Sequence, residues 1–158
     1  MRKLVSIVAI GVMCTFVANA QSGKVLTLDQ KVNGTITKAS TTSSDNEKYY
    51  CDLYTLSLKA RQKVTINLVS DYKLWILVVM GGKHYVKDCG GENHADLHLT
   101  FVAGTEPQTA VVQINGPTKF DVSRLGVALE TQPYVLSVTA AAKDAYVTSA
   151  QEDEYGGN

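Results

Sequence analysis

Residues 94–102 read HADLHLTFV, and polar and apolar side chains alternate along this stretch with a period of two. The apolar set is Ala95, Leu97, Leu99 and Phe101, and the polar set is His94, Asp96, His98 and Thr100. Successive side chains of a β-strand point to opposite faces, so this pattern predicts a strand with one face in a core and the other in water.

Two neighbouring stretches extend this interpretation. Val64, Ile66 and Leu68 repeat the same alternation. Residues 74–80, LWILVVM, are apolar at every position and therefore predict a central strand that is covered on both faces.

The remaining strands follow from β-favouring residues separated by turn residues such as Gly81-Gly82. Strands are predicted at residues 25–28, 31–37, 49–58, 63–69, 74–80, 84–87, 95–102, 109–114 and 134–139. Residues 39–46 are expected to form an exposed loop, and residues 121–130 either a short helix or a further strand. The chain is therefore predicted to be all-β, an antiparallel, jelly-roll-like β-sandwich of about seven to nine strands.

Residues 1–20 have the organisation of a signal peptide. Arg2 and Lys3 precede an apolar stretch at residues 4–17, and Ala18-Asn19-Ala20 forms a cleavage site of the A-x-A type. No later segment is apolar for long enough to span a bilayer, so the mature chain is expected to be secreted or periplasmic, with no membrane span.

Charge is distributed unevenly along the chain. The 158 residues include 15 basic and 15 acidic side chains, and removal of the leader leaves 13 basic against 15 acidic, a net charge of −2. Such a balance argues against nucleic acid as a partner, because a phosphate-binding surface needs a basic excess. Residues 141–158 carry Lys143 against four acidic residues and are predicted to be a flexible acidic tail beyond a domain at residues 21–140.

Two cysteines, Cys51 and Cys89, remain after the leader is removed. An even pair in an exported chain is expected to be oxidised, so we predict a disulfide between them. A redox or metal-binding pair is the less favoured alternative, because the chain has no C-x-x-C motif and no third mature cysteine.

Four segments of the predicted sandwich resemble the bacterial pre-peptidase C-terminal domain, a secreted β-sandwich appended to extracellular proteases. The segments are Gly34-Thr35-Ile36, DLYTLSL at residues 52–58 with QKVTINL at 62–68, the glycine loop and strand at 88–101, and YVLSV at 134–138. Arg61 stands where the family usually has glycine. The resemblance implies a non-catalytic binding or accessory role, and we expect the module to be present without its protease.

Oxygen-bearing side chains cluster around the glycines at residues 90–91. Asp88, Glu92, Asn93 and Asp96 are ligands of the kind that Ca²⁺ prefers, so a calcium site is a candidate here, although the spacing matches no EF-hand. No other cofactor is expected. His94, Asp96 and His98 share one face of a strand, but we interpret them as a solvated face, because positions two residues apart are about 7 Å apart.

Catalytic motifs are not evident. The chain contains no G-x-S-x-G and no phosphate-binding loop, so we predict that the protein is not an enzyme. Aromatic side chains are better candidates for binding, because they combine apolar area with a polar group. Tyr72, Trp75 and Tyr85 are the predicted ligand-binding residues, and Tyr72 and Tyr85 lie near turns where exposure is expected; Tyr54 is predicted to lie in the core.

The sequence thus favours a secreted, non-catalytic module that recognises an extracellular polysaccharide or protein, such as a secreted protease, through the surface of its sandwich. The alternative is a secreted protease inhibitor or a chaperone-like partner of an exported peptidase. A small metal-dependent hydrolase is a third, less favoured hypothesis.

Overall fold

The computed structural model describes residues 24–43, 49–88, 94–124, 126 and 130–152. Eleven strands and one short helix are found in these residues. In chain order they are β1 (Lys24–Leu26), β2 (Lys31–Ile36), β3 (Thr41–Thr42), β4 (Tyr49–Leu58), β5 (Lys63–Ser70), β6 (Trp75–Met80), β7 (Lys83–Lys87), β8 (Ala95–Val102), β9 (Gln108–Thr118), α1 (Lys119–Arg124), β10 (Gln132–Ala140) and β11 (Gln151–Glu152).

The strands form two sheets. The larger sheet has the order β1-β4-β9-β6-β7-β11, with β3 also paired to β4, and the smaller sheet has the order β2-β10-β5-β8. All strand pairs are antiparallel except β1 with β4, which is parallel. The predicted antiparallel β-sandwich is therefore confirmed.

The core lies between the sheets and is made by the inward side chains of both. In β8, Ala95, Leu97, Leu99 and Phe101 are buried, as the alternation predicted. In β6, Ile76 and Val78 are fully buried, whereas Trp75, Leu77 and Val79 are only half-buried. The expectation that β6 is covered on both faces is therefore wrong for its second face, which lies on the outside of the larger sheet.

A tight turn at residues 59–62 joins β4 to β5. The Gln62 N–H donates to the Lys59 carbonyl at 3.2 Å, and the Arg61 N–H donates to the Gly104 carbonyl at 2.7 Å. Arg61 has φ 57°, in the left-handed region that favours glycine. The position at which the family that the sequence motifs resemble usually has glycine thus has the backbone conformation that glycine suits.

Some local structure differs from the prediction. Thr41 and Thr42 pair with β4 inside the predicted loop, and Ser43 there is buried. For residues 121–130, which are predicted to form either a short helix or a strand, the structure has the helix α1. It begins at Lys119, before this segment, and ends at Arg124.

Residues 141–152 remain in contact with the sandwich. The Thr148 N–H donates to the Thr100 carbonyl at 2.7 Å, and Lys63 Nζ donates to the carbonyls of Lys143 and Ala145 at 3.0 and 2.6 Å. Ala150 packs against the core, and β11 pairs with β7. The chain thus runs from the edge of β8 at Thr148 to the edge of β7 at β11. The flexible acidic tail at residues 141–158 and the domain end at residue 140 stay predictions.

The predicted leader, residues 1–20, and residues 153–158 lie outside the described residues. Among the residues that are described, no helix has the length and hydrophobicity needed to cross a membrane.

Candidate functional site

The outer face of the larger sheet carries many apolar side chains, although it faces away from the core. Strand register aligns its outward side chains in rows across the sheet. The first row is Cys51, Asn115 and Trp75; the second is Leu53, Gln113, Leu77 and Val86; the third is Val25, Thr55, Val111, Val79 and His84. We call the aliphatic members of the second and third rows the apolar face, namely Val25, Leu53, Leu77, Val79, Val86 and Val111.

Solvent reaches this surface unevenly. Val25 is 70% exposed and Val111 39% exposed, while the other members of the apolar face are half-buried. Toward the first row the sheet is covered, since Cys51 and Asn115 are fully buried. Apart from the titratable His84, the two rows contain no ionisable side chain. The result is an uncharged, mainly aliphatic surface that is open at one end, the kind of patch that marks interaction sites.

An aromatic pair and an amide pair border the covered end. The rings of Tyr49 and Trp75 meet edge to face with centroids 5.0 Å apart. Gln113 Nε2 donates to Asn115 Oδ1 at 2.6 Å, while the buried Asn115 Nδ2 has no hydrogen-bond acceptor within the part of the chain described here. This end of the face is therefore held by side-chain packing and one amide hydrogen bond.

The three predicted ligand-binding aromatic residues do not share a surface. Tyr85 is only 7% exposed and packs on Phe101 with ring centroids 5.4 Å apart, so its expected exposure is wrong. Tyr72 is half-buried against the core, beside the turn where its N–H donates to Ser70 Oγ. Trp75 is half-buried at the border of the apolar face. Tyr54 is fully buried, as predicted.

The candidate calcium ligands are only partly visible. Asp88 and Asp96 are exposed, whereas Glu92 and Asn93 lie outside the described residues. In the ranges that are described, no three His, Cys, Asp or Glu side chains gather where they could hold a metal ion. The calcium site stays a prediction.

The predicted disulfide is likewise untested. Cys51 is buried in β4, and Cys89 lies outside the described residues.

The outer face of the smaller sheet is polar in comparison. His94, Asp96 and His98 are exposed there, which confirms the interpretation as a solvated face. His98 Nδ1 donates to Asn67 Oδ1 at 2.7 Å, and Asp96 Oδ1 lies 3.5 Å from His98 Nε2. At one end of this face, an open depression of about 350 Å³ lies around Val69, Val135 and the turn at Asp71.

A buried polar bridge joins the two sheets and contains residues of the motifs that resemble the family. The Tyr134 hydroxyl donates to Asp52 Oδ2 at 2.6 Å, so the Tyr54 hydroxyl, 2.7 Å away, donates to the Tyr134 oxygen. Lys24 Nζ lies 3.3 Å from the same carboxylate oxygen. A Cβ at position 34 would overlap the Tyr134 ring, so Gly34 provides the space in which the ring lies.

The electrostatics of the bridge favour neutral hydroxyls. Burial raises the pKa of Tyr134 far above its usual range, and the hydrogen bond to the Asp52 carboxylate raises it further. Burial also raises the pKa of Tyr54, although its hydrogen bond with Tyr134 opposes this effect. Both hydroxyls therefore stay protonated as donors, and the bridge is suited to holding the sheets together.

Of three comparisons with known proteins, the one with solved structures finds similarity. No protein-family model matches the chain, and no curated protein matches it. Among solved structures, the chain is similar to the pre-peptidase C-terminal domain of a collagenase from Bacillus anthracis, with 12% sequence identity and a TM-score of 0.47. The similarity covers 74% of this chain and 94% of that one. That structure belongs to the family that the sequence motifs resemble, and the similarity concerns the fold.

Sequence reasoning missed the apolar face as a candidate site, although a signal was present. The stretch at residues 74–80 is apolar on both faces, and such a pattern predicts that both faces are buried. The same pattern also fits a strand that has one face in the core and the other on an apolar surface. Only the strand order shows that no second layer of strands from the described residues lies over Leu77 and Val79.

Proposed function

We propose that this protein is a secreted, non-catalytic module that binds an extracellular partner through the apolar face. The observation that carries the proposal is the outward display of Val111, Leu77 and Val79 by adjacent strands of a hydrogen-bonded sheet. A sheet of this kind holds its side chains in place before a partner arrives, which lowers the entropic cost of association.

The chemistry of the face favours a protein partner over a polysaccharide. Its exposed and half-buried members are aliphatic, and aliphatic side chains complement apolar side chains of another protein. Polysaccharide recognition would be better served by exposed aromatic rings, but Tyr85 is in the core and Trp75 is engaged with Tyr49. A polysaccharide is therefore the alternative outcome of the test.

A non-catalytic role is supported by the way the described polar side chains are used. Tyr54, Tyr134 and Asp52 form the bridge between the sheets, and His98 is held by Asn67 on an exposed sheet surface. These arrangements orient the side chains toward other parts of the same domain.

Export is supported by the signal-peptide organisation of residues 1–20 and by the resemblance to a family of secreted domains. The ligand of the module is then an extracellular one, and a separately encoded exported protease is one such protein.

A pull-down with two matched variants tests the proposal. Val111 in β9 and Val135 in β10 are 39% and 36% exposed, each in an interior strand of its sheet, on opposite outer faces of the sandwich. Immobilised wild type, Val111→Asp and Val135→Asp are incubated with the secreted proteins of the source organism and, separately, with insoluble polysaccharides. We expect wild type and Val135→Asp to retain the same protein and Val111→Asp to lose it.

Two results would contradict the proposal. One is equal retention by all three proteins, and the other is retention of polysaccharide alone. Co-purification of a stoichiometric protease would identify the partner as an exported peptidase.

A further inference from the structure

We propose that the open edge of β2 is a second binding site, which takes an extended acidic segment of a partner protein as an added β-strand. This site is separate from the apolar face. The inference therefore goes beyond the proposed function and does not rest on it.

The outer edge of β2 is unpaired within the described residues. β2 is hydrogen-bonded to β10 on one side, and no strand of the described chain pairs with its other side. Other edges of the sandwich are partly occupied, since β11 pairs with β7 and Thr148 donates to Thr100 of β8. The six residues of β2 contain no proline and keep a regular register with β10. An edge without such protection can accept a further strand.

The register identifies the peptide groups of β2 that face the open side. Along an antiparallel strand, the N–H and C=O groups of successive residues point alternately to its two neighbours. The Val138 carbonyl of β10 points toward the β2 side, because it accepts the Asp29 N–H at 2.7 Å. Every second residue from Val138 therefore bonds to β2, and the residues opposite are Val32, Gly34 and Ile36. The peptide groups directed away from β10 are those of Lys31, Asn33 and Thr35.

The space beside this edge has the size of one strand. β2 lies across the core from β4, and β1 is the next strand beyond β4 in the larger sheet. No strand of the described chain lies opposite β1 in the smaller sheet. A strand added about 4.8 Å from β2 would take that position and complete the second layer. Its pairing would end at Thr35, because Ser40 Oγ lies 3.5 Å from the Thr35 carbonyl.

Lys24 gives the site a preference for a carboxylate. Its ammonium lies 3.3 Å from Asp52 Oδ2, and the Tyr134 hydroxyl donates to the same oxygen at 2.6 Å. The Tyr134 ring occupies the space that a side chain at Gly34 would fill, so these contacts place Lys24 near the middle of β2. The Lys24 side chain is 59% exposed. An inward carboxylate of the added strand, opposite Gly34, would therefore bind this ammonium.

Charge along the edge favours the same chemistry. Lys31 at the start of β2 and Lys38 in the turn that follows it are both exposed, and Asp29 precedes them. The lysines would attract an acidic segment and repel a basic one. Extended peptides bind such an edge through main-chain hydrogen bonds, and their alternate side chains give the specificity.

Four labelled peptides test the inference. The probe has seven residues, Thr-Val-Thr-Glu-Thr-Val-Thr, with valine and glutamate on the inward side and a fluorescein label. The first control has lysine in place of glutamate. Two further versions carry N-methyl groups, either on the third and fifth residues, whose N–H groups would face β2, or on the second and sixth residues, whose N–H groups would face away. Fluorescence anisotropy with purified mature protein reports each affinity.

Two substitutions at one position provide the matched variants. Asn33→Pro removes an N–H that points to the open edge and leaves the hydrogen bonds between β2 and β10 in place. Asn33→Ala keeps that N–H. Lys24→Met removes the ammonium and keeps most of the length of the side chain. Val111→Asp changes the apolar face and is the control for binding there.

The glutamate peptide should bind about tenfold more tightly than the lysine peptide and than the version methylated on the third and fifth residues, while methylation of the second and sixth residues should change the affinity by less than about threefold. Asn33→Pro should weaken binding by about tenfold or more, and Asn33→Ala and Val111→Asp by less than about twofold. Lys24→Met should reduce the preference for glutamate over lysine by about three- to tenfold. In hydrogen exchange, the bound peptide should protect the amides of Lys31, Asn33 and Thr35.

Absence of binding by the glutamate peptide, equal affinity of the two methylated peptides, or equal weakening by Asn33→Pro and Asn33→Ala would overturn strand addition at this edge. Equal affinity for the glutamate and lysine peptides would overturn the acidic partner. Loss of peptide binding in Val111→Asp would place the peptide on the apolar face and would also overturn the edge site. If Asn33→Pro does not fold, the methylated peptides and the exchange of the β2 amides decide the result. The pull-down with Val111→Asp tests the proposed function separately.

Discussion

The hydroxyl of Tyr134 donates a 2.6 Å hydrogen bond to the carboxylate of Asp52, and this contact joins the smaller sheet to the larger one. Tyr134 is in β10 and Asp52 is in β4, 82 residues apart in the chain. Tyr54 donates in turn to Tyr134, so the two sheets share a continuous set of hydrogen bonds inside an otherwise apolar core. The bridge is therefore a polar contact between the two sheets, beside the apolar packing of the core.

Replacing Tyr134 by phenylalanine should destabilise the fold without abolishing it. The ring would still occupy the space beside Gly34, but Asp52 would lose a donor and Tyr54 an acceptor. Leaving buried polar groups unpaired costs about 1–3 kcal/mol. Urea unfolding of Tyr134→Phe should show this loss, whereas Tyr146→Phe, at a position that is 83% exposed, should be neutral. A neutral Tyr134→Phe would mean that the bridge does not stabilise the fold.

The free energy of unfolding should fall in alkaline solution because Tyr134 must be protonated in the folded protein. The pKa of Tyr134 is raised in the folded state above its ordinary value of 10.0, so folding favours the protonated phenol. This contribution is fully present below pH 10 and is lost as the pH rises above it, by about 1.4 kcal/mol per pH unit. Unfolding measured between pH 9 and 11 should show this slope in wild type and a smaller one in Tyr134→Phe. Identical slopes would contradict the assignment.

Arg61→Gly should stabilise the protein. Arg61 adopts φ 57° on an exposed turn, and a non-glycine residue in the left-handed region costs on the order of 1 kcal/mol. Glycine makes the unfolded chain more flexible, so we expect a net gain of about 0.5 kcal/mol, measured as a higher melting temperature. The neighbouring Gln62→Gly is the control and should destabilise, since it removes the side-chain oxygen that accepts the Lys59 N–H at 2.8 Å. A lower melting temperature for Arg61→Gly would refute the argument from backbone strain.

Removal of residues 141–158 should destabilise the sandwich more than removal of residues 153–158 alone. The longer deletion removes the Thr148 hydrogen bond to Thr100, two acceptors of Lys63 and the packing of Ala150. We expect a loss of about 1–3 kcal/mol. Hydrogen exchange in the intact chain gives an independent readout, because the Thr148 amide should be protected. Rapid exchange there, with equal stability of both truncated proteins, would contradict this expectation and support the flexible acidic tail that the sequence predicts.

Much of the fold could be predicted because alternation reports directly which residues share a face. The predicted strands at residues 49–58 and 95–102 have the bounds of β4 and β8, and Tyr54 lies in the core as expected. The two shortest strands, β3 and β11, were missed because two residues are too few to show a period.

The candidate site was harder to predict because its residues depend on strand order. Alternation cannot tell which side of an entirely apolar strand faces the core, so the outward display of Leu77 and Val79 was not apparent. Tyr85 was expected to be exposed because it follows a glycine turn, but its neighbour Phe101 is on β8 in the other sheet. The bridge between Asp52 and Tyr134 likewise joins positions that only the packed sheets bring together.

The most direct test of the binding face is a methyl NMR footprint of the mature protein with its captured partner. We expect the methyl resonances of Val111, Leu77 and Val79 to shift or broaden on titration, while those of Val69 and Val135 on the opposite face stay unchanged. Shifts confined to Val69 and Val135 would contradict the account and would place the binding surface on the smaller sheet.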